Sequence, residues 1–290
     1  LTGPEFIGDD NLQLLSAEEG KEKVISYKKR GYDFIKTYYG LTEDIFNAVI
    51  KQAKISDIDI VAHPSHKIPY SHHFNPQIKS IEHAEEIIQQ PLNYKLDTLK
   101  LKEIINDFSK SKHSSFSPTL TGYNNIYQML IDDNILDSER LQFMNPLIKM
   151  VDSKAQFERW YHTKLRDSSI VESIKNQHDF HLKIIKKLHT AGVNLVCGTD
   201  AGIGVTIPGF SIHNELAFFK EAGLSNYEAL KTATINASKV HSIMNDMGTV
   251  EAGKIANILL VKENPFLNLS TLQQPTMVFI RGRKLNRNTL

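Results

Sequence analysis

The sequence lacks the features that mark several protein classes. Its 290 residues include one cysteine, Cys197, which excludes an intrachain disulfide framework and a cysteine-rich zinc site. Lys and Arg number 34 against 33 for Asp and Glu, so the charge balance points to neither a nucleic acid nor an anionic membrane as partner. No apolar run approaches the roughly 18 residues of a membrane span, and no signal peptide is recognisable. The compartment stays open, with the cytoplasm as the default and export as the alternative.

Segments of helical and strand-like pattern alternate along the chain from Ser16 onward. Ser16 with Glu19 and Ser225 with Glu228 have the spacing of capping boxes, and Thr42 is predicted to cap a further helix. Alternating strands and helices imply right-handed parallel crossovers, and therefore an α/β sheet or barrel. A further strand is predicted over 115–123. The other strand-like runs end at Lys36, His63, His83 and Asp200.

The pattern changes after Met244, where short β segments are separated by Gly, Asn and Pro. We therefore predict a barrel domain over 1–245 and a small β domain over 246–290. The chain opens with "LTGPEFIGDDNLQLL", without Met, which we interpret as a fragment or a chain whose earlier part is missing.

Polar residues at the ends of strands are the candidate site, because the active sites of α/β barrels lie at the carboxyl ends of their strands. Two imidazoles and a carboxylate are a usual ligand set for zinc or a similar divalent ion, which points to His63, His83 and Asp200. An aspartate beside an activated water can also transfer its proton. The alternatives are that Asp200 caps the next helix and that each histidine is buried and hydrogen-bonded.

Lys36 ends a mostly apolar strand, "DFIK", and is expected to be buried. A buried lysine readily loses its proton and could then react with CO2 to give a carbamate that bridges two metal ions. A salt bridge to Asp33, Asp200 or Glu82 is the alternative. A barrel that uses Lys36 as a Schiff-base amine is a further, weaker reading.

Weaker candidates for substrate contacts lie in loops and beyond the predicted strand 115–123. Solvated loop residues are the alternative for the histidines of the loop after His63, and core packing is the alternative for the tyrosine. His213 and Glu215 are interpreted as loop or helix-start residues that could support the site. The candidates for substrate contact are His72, His73, Tyr123 and His213, with His66 in the same loop.

Several of these segments resemble the amidohydrolase superfamily, and more narrowly its imidazolonepropionase-like and prolidase-like (Xaa-Pro dipeptidase) branches. They are "GYDFIK", "IVAHPSH", "SIEHAEEI", the run that begins "GTDAG", and "MGTVEAGKIANILLVKENPF". The resemblance implies a metal-bearing (β/α)8 TIM-type barrel with a small β-sandwich. It places His63 and His83 at the histidines of strands five and six, Asp200 at the aspartate of strand eight and Lys36 at the carboxylated lysine of strand four.

The activity implied by the resemblance is metal-dependent hydrolysis of a C–N bond in a dipeptide, a cyclic amide or a related amide. A metal-activated water would attack the carbonyl, with Asp200 as general acid and base. The implied cofactor is one or two divalent metal ions, zinc first, with Lys36 carboxylated. The partner would be a small-molecule amide or peptide substrate, and a homo-oligomer is left open.

The chain departs from the family pattern in two places. Asn257 stands where the family usually has Asp, and no His-x-His motif occurs, although the family opens its barrel with one. One interpretation is that the chain is the carboxy-terminal part of a longer enzyme, so that its barrel is incomplete at the N-terminal side. The other is a non-catalytic or truncated member with an incomplete metal site. We favour the first, because an open barrel would expose unpaired strand edges.

Overall fold

A computed structural model describes residues 1–3, 13–112 and 114–286 of the chain. The chain divides into two compact units. The first unit comprises Leu1–Ser117 and Thr190–Asn194, and the second comprises Pro118–His189 and Leu195–Leu290. The predicted division into 1–245 and 246–290 stays a prediction.

The first unit is built on a parallel sheet whose strands follow chain order from β1 to β5. The neighbours β1–β2, β2–β3 and β3–β4 all pair in parallel. This order is typical of repeated strand–helix units, and it agrees with part of a TIM-type barrel. The α/β class is confirmed. The strands are β1 (Phe34–Thr37), β2 (Asp59–Ala62), β3 (Ile78–Glu82), β4 (Ser115–Ser117) and β5 (Asn194–Leu195).

Helices of the first unit begin close to their predicted positions. The Ser16 hydroxyl accepts a hydrogen bond from the Glu19 amide at 3.2 Å, which confirms the first cap. Thr42 is the N-cap residue of its helix, as predicted, but its side chain makes no capping hydrogen bond. The helices are α1 (Ala17–Lys29), α2 (Glu43–Ile55), α3 (Ala84–Gln89) and α4 (Thr98–Lys110), with a 3-10 helix at Tyr70–Phe74.

The core of the first unit lies on the sheet and between α1 and α2. The helices approach closely at Gly20, where an added Cβ would lie 3.1 Å from Cγ2 of Val49. The apolar strand residues that form this core are buried, whereas the residues after each strand lie at the carboxyl end of the sheet. These core residues are Ile35, Ile60, Ile78, Ile81 and Phe116.

The second unit is mainly helical. A π-helical turn, Lys149–Ser153, joins two of its helices. Short 3-10 helices lie at Ile135–Asp137, Glu139–Phe143, Ser242–Met244 and Leu269–Gln273. The helices are α5 (Leu120–Ile131), α6 (Pro146–Ile148), α7 (Lys154–Arg166), α8 (Ile170–Thr190), α9 (Ser211–Glu221), α10 (Asn226–Thr232) and α11 (Ile235–Ser238).

Two predicted elements are shorter than expected. The strand predicted over 115–123 ends at Ser117, because Pro118 follows and Thr119 adopts a left-handed backbone with φ 51°. The helix predicted after Ser225 keeps its capping box but breaks at Thr234, whose φ of −131° and ψ of −103° are not helical. The predicted helix is therefore divided into α10, α11 and a 3-10 helix.

The C-terminal segment confirms the predicted short β strands. They form an antiparallel sheet of β6 (Ile258–Leu260), β7 (Met277–Ile280) and β8 (Arg283–Lys284). The predicted sandwich needs a second sheet, and it stays a prediction. Within the described ranges, no helix is both long and apolar enough to cross a membrane.

Candidate active site

Two histidines lie side by side directly after neighbouring strands, as the sequence predicts. The His63 amide donates to the Thr37 carbonyl at 3.1 Å, and the His83 amide donates to the Ser117 carbonyl at 2.8 Å. Each backbone therefore extends the hydrogen bonding of the sheet by one residue. The imidazole rings meet with their centroids 4.6 Å apart.

His83 is held in a sparsely populated backbone conformation, with φ 74° and ψ 110°. Such conformations cost on the order of 1–3 kcal/mol and are enriched at functional sites. The side chain is buried, and burial, followed by the charges of His63 and Lys36, lowers the pKa of His83 well below its usual range. The ring is therefore neutral near pH 7, the form that binds metal ions.

The two ring nitrogens of His63 have different surroundings. Nε2 lies 3.2 Å from Oε1 of Glu86 on α3, whereas Nδ1 is buried and has no hydrogen-bond partner among the described residues. A carboxylate beside Nε2 favours the tautomer with its proton there, which leaves the Nδ1 lone pair available. Metal-binding histidines are commonly oriented in this way. Glu86 was not among the predicted site residues.

Lys36 differs from its expected environment. It is exposed, because it lies on the opposite face of β1 from the buried Ile35 and Thr37. Its Nζ lies 5.8 Å from the centroid of the Tyr38 ring, and it forms no ion pair with any residue in the described ranges. The expectation that Lys36 is buried is therefore wrong for this chain.

Asp200 belongs to the second unit and is exposed, with a left-handed φ of 51°. The predicted strand does not reach it, because β5 ends at Leu195. It does not cap the next helix either, since α9 begins only at Ser211. The first turn of α5 lies against it: a Cβ added to Gly122 would be 3.8 Å from the Asp200 Cβ.

A buried carboxylate fixes this turn of α5. Glu215 on α9 is fully buried and accepts hydrogen bonds from the Leu120 amide at 2.9 Å and from the Thr121 amide and hydroxyl at 2.7 Å each. It replaces the missing cap, since the Thr119 side chain makes no capping bond. Burial raises the pKa of Glu215 to about 7, against the opposite effect of the donors.

The loop histidines differ in burial. His73, expected to be solvated or to contact substrate, is fully buried: Nδ1 lies 3.1 Å from the Tyr70 carbonyl and Nε2 accepts from the Ser65 amide at 3.1 Å. Burial lowers its pKa to about 4. Both nitrogens are therefore used within the protein. The His72 side chain is 36% exposed, with Nδ1 3.8 Å from Oε1 of Glu43.

The other two candidates for substrate contact lie on helices of the second unit. Tyr123 is on α5, not at the end of a strand, and its ring packs edge-on against His181 with the centroids 4.7 Å apart. His213 is half-buried on α9, and burial, with the charge of Arg140, lowers its pKa. Substrate contacts by these residues stay predictions.

The donors that the structure brings together fit part of a metal site. His63 and His83 offer two imidazoles, and Nδ1 of His63 is buried without a hydrogen-bond partner in the described ranges. Catalytic zinc takes three protein ligands and an open position. Across the part of the chain that the structure describes, no three His, Cys, Asp or Glu side chains form such a group. The pair by itself is therefore smaller than a catalytic zinc site requires.

Several solved structures share this fold. Bottromycin amidohydrolase matches with a TM-score of 0.76 and 21% identity, over 99% of this chain and 64% of the other. A Xaa-Pro dipeptidase with bound methionine in the active site matches with a TM-score of 0.65 and 19% identity, over 94% of this chain and 59% of the other. A prolidase complexed with N-methylphosphonate-L-proline matches with a TM-score of 0.60 and 16% identity, over 98% of this chain and 64% of the other. The chain thus spans 59–64% of the length of these structures.

The sequence itself identifies the family. A search of curated protein sequences found no significant match. Residues 100–285, well over half of the chain, match the sequence profile of the amidohydrolase family. This match confirms the predicted relationship, and the shared fold agrees with it. The chain belongs to the amidohydrolase family.

Proposed function

We propose that the protein is a metal-dependent hydrolase that cleaves a C–N bond in a small amide or peptide. The observation that carries the proposal is the His63–His83 pair, in which Nδ1 of His63, buried and without a partner among the described residues, lies next to a second, neutral imidazole. Family membership supports hydrolysis of amide bonds. Zinc is the proposed ion, because imidazole nitrogens suit it.

Each residue of the proposed site has a distinct role. His63 and His83 would hold the metal together with Lys36, in its carboxylated form, and Glu86 would orient His63. A divalent ion bound there would polarise the amide carbonyl and lower the pKa of a water. Asp200, whose carboxylate is accessible, would take a proton from that water and deliver it to the leaving nitrogen.

A dipeptide is the favoured substrate class, with cyclic and related amides as the wider set. The support is the shared fold with a Xaa-Pro dipeptidase and a prolidase, while the match to bottromycin amidohydrolase widens the range. His72, Tyr123 and His213 are the proposed substrate contacts. His73 is less suited to that role, because both of its ring nitrogens already have partners.

A second candidate is a non-catalytic member of the family that serves as a binding or assembly module. Two observations favour it: the 290 residues contain no His-x-His motif, and Lys36 is exposed. In this case the strand-end histidines would be remnants of a metal site rather than a working one.

Metal content and turnover together decide between the two candidates. The chain is purified in chelator-free buffer, its zinc is measured by plasma mass spectrometry, and hydrolysis of a panel of Xaa-Pro dipeptides is followed. We expect bound zinc that His63→Asn removes and His162→Asn, an exposed control, retains. Asp200→Asn should keep the metal and lose turnover.

Each contrary result has a clear meaning. Zinc binding with full turnover by Asp200→Asn would exclude Asp200 as the acid and base. A wild-type chain with neither zinc nor turnover would favour the non-catalytic member.

A further inference from the structure

The first unit contains a cleft of about 740 Å³ that is lined in part by Glu86, the residue whose Oε1 lies 3.2 Å from Nε2 of His63. It lies between the loop after β2 and helices α3 and α4. Aromatic and polar residues line it together. The residues that carry the inference are Tyr39, Tyr70, Phe74, Glu86, Gln90 and Tyr94.

Tyr70 lines this cleft and has a buried hydroxyl. The residue is 7% exposed, and its hydroxyl has no hydrogen-bond partner in the described part of the chain. Its ring is fixed by packing against Phe74 and Phe108, with centroid distances of 5.9 and 6.3 Å. A buried hydroxyl is costly unless a polar group meets it, so the cleft is built for a polar occupant.

Gln90 brings a buried acceptor. Its Nε2 donates to the Pro64 carbonyl at 2.9 Å and to Oε2 of Glu86 at 2.5 Å. Because both partners only accept, the orientation of the amide is fixed and its Oε1 can serve only as an acceptor. This oxygen is buried and unpartnered within the described ranges.

Glu86 supplies the charge. It is 7% exposed, and neither lysine nor arginine pairs with it among the described residues. Its neighbours are His63 and Gln90. Lys100 and Asp107 also line the cleft with opposite formal charges, so Glu86 leaves the lining with a net negative charge.

We infer that this cleft binds the primary ammonium group of an organic ligand, with the Glu86 carboxylate, Gln90 Oε1 and the Tyr70 hydroxyl oxygen as acceptors. An ammonium group has three donors and no acceptor, which matches these three groups. Tyr39, Phe74 and Tyr94 add aromatic surface that favours a cation and the apolar remainder of the ligand. The inference goes beyond the proposed function, because binding here needs neither metal nor turnover.

The test is a titration of the full chain with benzylammonium chloride, followed by saturation-transfer NMR at pH 7. Benzyl alcohol, which has a similar shape and no charge, is the matched ligand. We expect saturable binding of benzylammonium and at least tenfold weaker binding of the alcohol. Equal binding of both would show an apolar slot only, and no saturable binding at millimolar concentration would show that water alone fills the cleft. Either result would overturn the inference.

Tyr70→Phe removes only the hydroxyl, and the fold should tolerate it because that group has no hydrogen-bond partner among the described residues. It should weaken benzylammonium roughly fivefold, the loss of one hydrogen bond. Tyr27→Phe, outside the cleft, is the control and should bind like wild type. Glu86→Gln should reduce affinity more than tenfold. Unchanged binding by both Tyr70→Phe and Glu86→Gln would contradict the assigned acceptors.

Discussion

Two pairs of histidines contain buried ring nitrogens without hydrogen-bond partners in the described part of the chain, and their surroundings differ. In the first unit, His63 and His83 follow adjacent parallel strands, and Glu86 lies beside one ring. In the second unit, His178 and His181 lie one turn apart on α8, and their rings pack edge-on against Phe218 and Tyr123.

The comparison shows what distinguishes a ligand site from a packed core. An unpartnered nitrogen becomes a candidate ligand when a second donor faces the same space and a carboxylate orients the ring. Against aromatic rings, the same nitrogen only makes the folded state intolerant of protonation. The histidines of α8 should therefore govern acid stability, and those after the strands should govern metal binding.

The largest expected effect concerns His181. Burial lowers the pKa of His181 to about 3. Below pH 6.5 this histidine therefore binds a proton in the unfolded chain but stays neutral in the folded chain. The contribution of the neutral His181 to the free energy of unfolding is complete above pH 6.5 and is lost as the pH falls towards 3. We expect a loss of about 4 kcal/mol in the free energy of unfolding between pH 6.5 and 3.5. In His181→Leu this part of the pH dependence should vanish.

Urea unfolding at both pH values, followed by the fluorescence of Trp160, measures this loss for the second unit. His162→Leu, an exposed site on α7, should behave like wild type. An equal acid loss in His181→Leu and wild type would assign the acid sensitivity to other groups.

Glu215 should make the free energy of unfolding fall as the pH rises, which is opposite to the effect of His181. Its pKa is about 7 in the folded chain, raised from 4.5, so its contribution is complete below pH 4.5 and is lost as the pH rises through 7. The expected loss is about 3 kcal/mol by pH 8. Glu215→Gln should remove this slope, as read from Trp160 fluorescence in urea at pH 5 and 8. Glu221→Gln, exposed on the same helix, should keep the slope, and a slope retained by Glu215→Gln would refute the assignment.

The smallest expected effect tests the orientation of His63. Glu86→Gln should weaken zinc binding by roughly 10- to 100-fold, because it removes the carboxylate that favours a proton on Nε2. Competition with a chromophoric chelator measures the change. Glu43→Gln, beside the loop residue His72, is the control. Zinc affinity unchanged by Glu86→Gln would mean that His63 does not depend on this carboxylate.

Local sequence signals predicted the parallel strands and the positions of His63 and His83 after them. Apolar residues that recur every second position in strands and every three to four positions in helices show which face of the element is buried. Capping residues mark the ends of helices. Those signals could not find Glu86 or the capping role of Glu215, because each acts on residues brought near only by folding. Glu215 caps a helix that begins 95 residues earlier. For Lys36 and Asp200, the apolar sequences before them suggested burial that the structure does not show.

The sequence by itself determined the α/β alternation, the family and the strand ends that carry the two histidines, because these depend on short-range patterns and motifs. Tertiary structure alone decided the tautomer expected for His63, the burial of His73 and His181, the capping of α5 by Glu215 and the polar cleft beside Glu86. Each of these depends on which atoms meet across the fold. Desolvation and hydrogen bonding act over a few ångströms in space, whatever the separation along the chain.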